Sequence, residues 1–398
     1  MTLFSKVEQA SRDPILGITE QFVADPSPYK VNLGVGMYYD ENGRLPLLKC
    51  VAAAERAMVE APAPRGYLPI DGMADYDRAA QRLAFGESSA AVIEQRIATV
   101  QGLGGTGALK VAADFLRRLK PQSRVLISDP SWENHRALFT QAGFEVGTYP
   151  YYDAASHGVR FEAMLAALNA ASADTVVVLH ACCHNPTGCD LTLDQWRAVV
   201  ASARARAWIP LLDMAYQGFG SGLDEDAAAV RLFVDAGVAC LVATSFSKNF
   251  SLYGERVGAL SVVCELPQEM QRVLSQLKVL IRANYSNPPT HGAKAVATVL
   301  ADPALRRLWH QELAQMRDRI HGMRERLIAK LREAGVQRDM SFIARQRGMF
   351  SYSGLSADQM RRLRSEFSVY GVDSGRICVA ALNERNLDHV AKAIAQVI

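Results

Sequence analysis

The sequence predicts an α/β fold, a mostly parallel sheet flanked by helices with a smaller part beyond it. Two observations carry this. The middle of the chain alternates short apolar runs with helical patterns, and one long amphipathic stretch separates that middle from the C-terminal segment.

The apolar runs are Arg124–Ser128, Thr175–His180, Ile209–Asp213, Cys240–Thr244 and Val257–Val263. They are rich in valine, isoleucine and leucine and do not alternate with polar residues, the pattern of strands buried on both faces. Helical periodicity fills the gaps from about Ala108 to Leu119 and from Leu193 to Arg206, where Thr192 suits an N-cap. Further on, Leu305, Trp309, Leu313, Met316, Ile320, Met323, Leu327 and Leu331 recur every three or four residues, and Gly335 follows. That spacing predicts one helix over 304–334 with a glycine stop, a strut toward a smaller C-terminal part. Beyond it, Gly348–Ser353 and Ile377–Ala380 read as strands, and Ala357–Glu366 and Leu387–Val397 as helices.

A chain of 398 residues suggests two domains, or one large domain with an attachment. Hydrophobic residues at 49% and charged residues at 21% fit a soluble globular enzyme. The net charge of +3, with both signs interspersed, gives no nucleic-acid footprint. Met1 to Ile15 lacks the apolar core of a secretory signal, and no apolar run is long enough to span a bilayer. Seven cysteines without regular spacing favour a reducing compartment, so a cytoplasmic location is expected.

Lys248 is the most informative residue. It follows the apolar run Cys240–Ala243, stands in Ser245-Phe246-Ser247-Lys248, and precedes Arg256 by eight residues. Lysine forms imines once deprotonated, and a desolvated site lowers its pKa. Two hydroxyls and an arginine nearby suit a phosphate, so the pattern describes a Schiff base to pyridoxal phosphate. A lone lysine after a strand is more often a surface group, so other parts of the site are needed.

Two motifs compete. Gly102-Leu103-Gly104-Gly105-Thr106-Gly107 satisfies a dinucleotide fingerprint, with Asp129 placed 22 residues beyond as a ribose-binding acid. A nicotinamide-dependent dehydrogenase using that loop is the remote alternative. Backbone N–H groups at a helix start bind any phosphate, however, and the segment before the loop does not read as βαβ. His180-Ala181-Cys182-Cys183-His184 invites a zinc site. Adjacent cysteines on a strand would point to opposite faces, so core packing is expected and no metal is assigned.

In open α/β sheets the site lies beyond the carboxyl ends of the strands. Polar residues at those ends are few: Asn185-Pro186-Thr187-Gly188 after the Thr175 run, Asp213-x-Ala215-Tyr216 after the Ile209 run, and Lys248 after the Cys240 run. Pyridoxal chemistry needs a carboxylate on the pyridine nitrogen, donors to the ring hydroxyl and an aromatic on the ring face. Together these strand-end residues match those needs, and Trp132 follows a strand end where it could lie on the ring face.

These residues resemble the class-I aminotransferases of the aspartate and aromatic amino acid subgroup, from Asp13-Pro14-Ile15-Leu16-Gly17 to Ser374-Gly375-Arg376. The resemblance implies the pyridoxal-phosphate-dependent transferase fold type I, with a large domain over 46–302 and a small α/β domain from both termini, 1–45 and 303–398. It implies Lys248 as the Schiff-base lysine, Asp213 on the pyridine nitrogen, Asn185 and Tyr216 on the ring oxygen, and Trp132 stacked on the ring. Gly105, Thr106, Ser245, Ser247 and Arg256 would hold the phosphate, joined by Tyr67 from the neighbouring subunit of a homodimer. Arg376 would clamp the substrate α-carboxylate with Gly36 and Asn185, and Arg282 would enter the neighbour's site to bind a side-chain carboxylate. Arginine's planar fork matches a carboxylate bidentately, which lysine's point charge does not.

The expected reaction is ping-pong transfer of an amino group between amino acids and 2-oxo acids, with Lys248 carrying the Cα proton. Met37, Tyr39 and Leu45 look like the aromatic-accepting branch, whereas Thr106 and Asn287 resemble aspartate-preferring members. Tyrosine and phenylalanine are therefore expected donors to 2-oxoglutarate, with aspartate also used. An aspartate aminotransferase with weak aromatic activity is the alternative. A pyridoxal-dependent lyase or decarboxylase would keep Lys248 and Asp213 without needing Arg282. A non-catalytic regulator should carry an added DNA-binding segment, for which there is little room before Asp13.

Overall fold

The computed structural model describes residues 2–10 and 15–398, so Asp13 and Pro14 lie outside the described residues. A seven-stranded sheet runs in the order Ile97–Leu103, Val257–Val263, Cys240–Ser245, Ile209–Met214, Thr175–His180, Arg124–Asp129, Val146–Pro150. The last five strands in that order pair parallel. Val257–Val263 is antiparallel to both of its neighbours.

The absence of polar alternation has a direct cause. Val177, Leu179, Leu212 and Val242 join one hydrophobic core, and Val176, Val178, Leu211, Leu241 and Ala243 join another on the opposite face of the sheet. Both faces are buried, so both phases of each strand must be apolar. Register then sets the site: His180 pairs with Asp213, and Met214 with Thr244, so the carboxyl ends of three strands lie side by side.

The helix Leu193–Arg206 has the expected cap, with Thr192 and Gln195 bonding reciprocally as a capping box. The long helix spans Pro303–Glu333, opened by Pro303 and by the Asp302 carboxylate accepting from the N–H groups of Ala304 and Leu305. Its 31 residues reach about 46 Å at the usual rise, and its apolar stripe is buried. Gly335 sits at φ +89°, the left-handed stop that glycine permits.

Segments from the two ends of the chain meet. Val31–Asn32 pairs parallel with Val369–Tyr370, and Phe350–Tyr352 pairs antiparallel with Arg376–Cys378. This brings Gly36 and Arg376 toward the strand ends of the main sheet.

Three expectations need correction. The helix expected from about Ala108 begins at Gly104, because its first turn is packed against Ser245 and Arg256 despite poor helix formers. The strand expected over Ile377–Ala380 ends at Cys378, and Val379–Ala381 turn as a short 3₁₀ helix. The cysteine argument also fails in its premise. Cys182 and Cys183 lie past the strand end, with Cys183 at φ +51°, and their sulfurs stand within 4.8 Å of each other and of the Asp226 carboxylate. Both are buried, and Asp226 is already bonded by the N–H groups of Gly218, Gly220 and Ser221. Core packing therefore remains their account.

Candidate active site

A cavity of about 470 Å³ opens over the carboxyl ends of the strands. Gly36, Gly105, Thr106, Trp132, Asn185, Asp213, Tyr216, Ser245, Ser247, Lys248, Arg256 and Arg376 all line it. Residues separated by up to 340 positions in sequence thus share one concave surface, assembled by the loops that follow five strands and by both chain ends.

One end is built for an anion. The helix Gly104–Leu119 starts here, and its first N–H groups have no partner inside the helix. Ser245 closes the strand beside it, with its Cβ 3.1 Å from where a Cβ on Gly105 would stand. The Arg256 guanidinium donates to Ser247 Oγ at 3.3 Å and to the Tyr253 carbonyl at 2.9 Å. Arg256 is held at φ +54°, a costly conformation for a residue with a Cβ, and its carbonyl accepts from Gly104 N–H at 2.9 Å. The chain has spent strain to aim a cation at this helix start.

The middle holds Lys248 and Asp213. Lys248 Nζ lies 4.9 Å from the centroid of the Tyr216 ring. Burial lowers its pKa to about 8, with the Asp213 charge opposing and the Arg256 charge assisting. Burial alone would raise the Asp213 carboxyl. The hydrogen bond from His135, with the charge of Lys248 beside it, instead leaves it below the usual carboxylate value. His135 Nε2 and Asp213 Oδ2 are 2.9 Å apart, and His135 Nδ1 is 3.0 Å from Ser131 Oγ. A buried, ionised carboxylate fixed from behind suits a cationic partner in front of it.

The other end is Arg376, 1% exposed. Its guanidinium donates to Asn185 Oδ1 at 3.0 Å and to the Gly34 carbonyl at 2.8 Å, and lies 4.3 Å over the Phe350 ring. Its Nε is buried without a partner among the described residues. A Cβ at Gly36 would stand 2.6 Å from Phe350 Cζ, so glycine there leaves room for the ring beneath the cation.

Arg282 and Tyr67 are not brought into this cavity. Arg282 is exposed and bonds Ser286 nearby, and Tyr67 is 95% exposed. The glycine loop that matched a dinucleotide fingerprint serves the same cavity as Lys248, and Asp129, its supposed ribose acid, is exposed and does not line that cavity.

His135, Tyr253 and Phe350 were given no role from sequence, and His180 entered only within the zinc-like motif. His180 was within reach of the strand-end rule, since it closes its strand opposite Asp213. Burial drives its pKa to about 3, so it is neutral beside His135, whose ring centroid is 5.0 Å away. His135 bonds Asp213 across 78 residues, a separation that no local spacing announces.

The family model described as aminotransferase class I and II matches residues 28–394. An aspartate aminotransferase of Pseudomonas aeruginosa is 61% identical over 398 residues, covering all of both chains. An aromatic-amino-acid aminotransferase of Escherichia coli is 53% identical over 397 residues, again covering all of both. Among solved structures, an aromatic-amino-acid aminotransferase from Burkholderia pseudomallei, covalently bound to pyridoxal phosphate, superposes with a TM-score of 0.97 at 62% identity over the whole of both chains. With a family model matched over 28–394 and relatives above 50% identical over the whole chain, the chain belongs to the aminotransferase class I and II family.

Proposed function

We propose that this enzyme transfers the amino group of tyrosine and phenylalanine, and of aspartate, to 2-oxoglutarate, with pyridoxal 5'-phosphate in the cavity. The observation that carries the reading is the sequence of groups along the cavity wall: anion nest, lysine with carboxylate, arginine. The donor set fits the cofactor. Gly105, Thr106, Ser245, Ser247 and Arg256 would hold its phosphate, Asp213 its pyridine nitrogen, Asn185 and Tyr216 its ring oxygen, and Trp132 its face.

When bound, the cofactor supplies an aldehyde carbon and a cationic ring that accepts the electron pair left by Cα deprotonation. Lys248 Nζ takes that proton and returns it on the other side of the transfer, which a pKa near 8 allows at neutral pH. Asp213, held by His135, keeps a negative charge against the ring nitrogen. Arg376 and Asn185 grip the α-carboxylate and orient the Cα–H bond. The two half-reactions share one site, so the kinetics are ping-pong.

Arg282 and Tyr67 are exposed and do not line the cavity of their own chain, which supports a homodimer in which each chain supplies them to its neighbour. We assign residues 46–302 to a cofactor-binding domain and 1–45 with 303–398 to a smaller one, joined by the long helix. Among the described residues no helix is long and apolar enough to cross a membrane, and we place the enzyme in the cytoplasm. Met37 lines the cavity, which supports aromatic substrates. The relative named aspartate aminotransferase supports the second reading, an enzyme with fast aspartate and weak aromatic turnover.

The test is spectroscopic. The holoenzyme should show a yellow absorption band that bleaches with tyrosine and returns with 2-oxoglutarate. Bleaching by aspartate but not tyrosine would select the second reading. No band after adding pyridoxal phosphate would overturn both.

A further inference from the structure

Arg376 is an almost fully buried cation whose hydrogen-bond partners, the Asn185 amide oxygen and the Gly34 carbonyl, are neutral. Among the described residues one carboxylate comes within 4 Å of it. Glu133 Oε2 stands 3.9 Å from Arg376 Nη1. That is too long for a hydrogen bond. The same Oε2 atom is buried and has no hydrogen-bond partner among the described residues. Glu133 opens the helix Glu133–Gln141, directly after Trp132, and does not line the cavity. The helix start holds the carboxylate where the positive end of the backbone dipole favours it. Two opposite charges thus face each other without closing the gap.

We propose that Glu133 is a positioning residue that weakens carboxylate capture at Arg376, by standing as a counter-charge beside the guanidinium and outside the cavity lining. This rests on the reading of Arg376 as the α-carboxylate clamp. A bonded ion pair would occupy the guanidinium and exclude the substrate. An unneutralised buried guanidinium would bind every carboxylate tightly, product included. The Arg376 side chain is 1% exposed and the Glu133 side chain 33%, so at 3.9 Å the Glu133 charge is partly screened by water and still felt by Arg376 and, through repulsion, by a carboxylate docked on it. Binding that is equally strong for substrate, transition state and product lowers KM without raising kcat, so a device that loosens all three keeps release from limiting turnover.

The test uses the pyridoxal phosphate-loaded enzyme and glutarate, a dicarboxylate with neither a keto nor an amino group to react. Calorimetry on Glu133→Gln, which removes the charge and keeps the shape, should show glutarate binding tightened about 3- to 20-fold. KM for both the amino acid and 2-oxoglutarate should fall with it, while kcat stays level or drops. Glu133→Asp, which keeps the charge, should bind glutarate within about 3-fold of the parent. Unchanged or weakened glutarate binding in Glu133→Gln would overturn the proposal. Glu133→Ala is read the same way should the glutamine variant not fold. Arg376→Lys separates the two layers of inference. If it weakens glutarate while Glu133→Gln has no effect, the clamp stands and the counter-charge falls. If Arg376→Lys leaves glutarate binding intact, the clamp is lost and this proposal with it.

Discussion

Arg376 and Arg282 are both assigned to substrate carboxylates, yet the chain treats them in opposite ways. Arg376 is buried, bonded by Asn185 and Gly34, underlaid by Phe350 and faced by Glu133. Arg282 stands exposed near the end of the helix Pro267–Asn284, with Ser286 as its neighbour. On the proposed assignment, the first would be a clamp that the chain completes by itself, and the second an arm that only another chain would turn into a site. The difference predicts that the α-carboxylate is read with high precision and the side chain with latitude, which suits an enzyme that takes both a dicarboxylate and an aromatic ring.

The sharpest way to break that comparison uses Lys248. Lys248→Ala should lower turnover by about 10⁴-fold or more, in line with loss of a general base that also anchors the cofactor. Mixing it with Arg282→Leu then asks where Arg282 acts. A hybrid dimer would hold one site with Lys248 from one chain and Arg282 from the other, so activity on aspartate should reappear. If Arg282 served its own chain, mixing would restore nothing.

Arg376→Met should come next in size. Loss of a buried, paired clamp costs about 2–5 kcal/mol, or about 30- to 5,000-fold in kcat/KM, on every substrate alike. Arg282→Leu should cost aspartate and glutamate about 10- to 150-fold and leave tyrosine nearly untouched. Equal losses on tyrosine and aspartate in the Arg282 variant would erase the contrast between the two arginines. Thermal unfolding should separate them too. Removing Arg376 leaves the Asn185 and Gly34 oxygens unpaired in the interior, about 1–3 kcal/mol of stability, whereas the exposed Arg282 should move the midpoint by about 2 °C or less.

The smallest expected effect is the pH dependence of cofactor capture. Burial lowers the Lys248 pKa to about 8, so the neutral amine is the minor form below that pH and the major form above it. The rate at which apoenzyme takes up pyridoxal phosphate should therefore rise through about pH 7–9, with its midpoint near 8, and level off above that. A rate still climbing steeply at pH 10 would mean that Lys248 titrates like a solvated lysine.

Much of this was legible before any coordinates. Valine-rich runs without alternation announce strands covered on both faces, and the strand-end rule leads directly to Asp213 and Lys248. Thr192 and Gly335 mark their helix ends because capping and left-handed turns are local events. What stayed hidden is what acts across distance. The bond from His135 to Asp213 depends on how a helix after Trp132 lies against a strand 78 residues on. The Cys182–Cys183 pair was misread because a strand was assumed where the backbone had already turned.

The sequence by itself determined the fold class, the strand ends and the residue types that pyridoxal chemistry needs, because these rest on periodicity, side-chain chemistry and local caps. Only the tertiary structure decided which charges are buried and which face outward. Identical guanidinium groups at 282 and 376 become one exposed and one buried and bonded through packing alone, since desolvation and partner geometry are properties of the assembled chain rather than of any one residue.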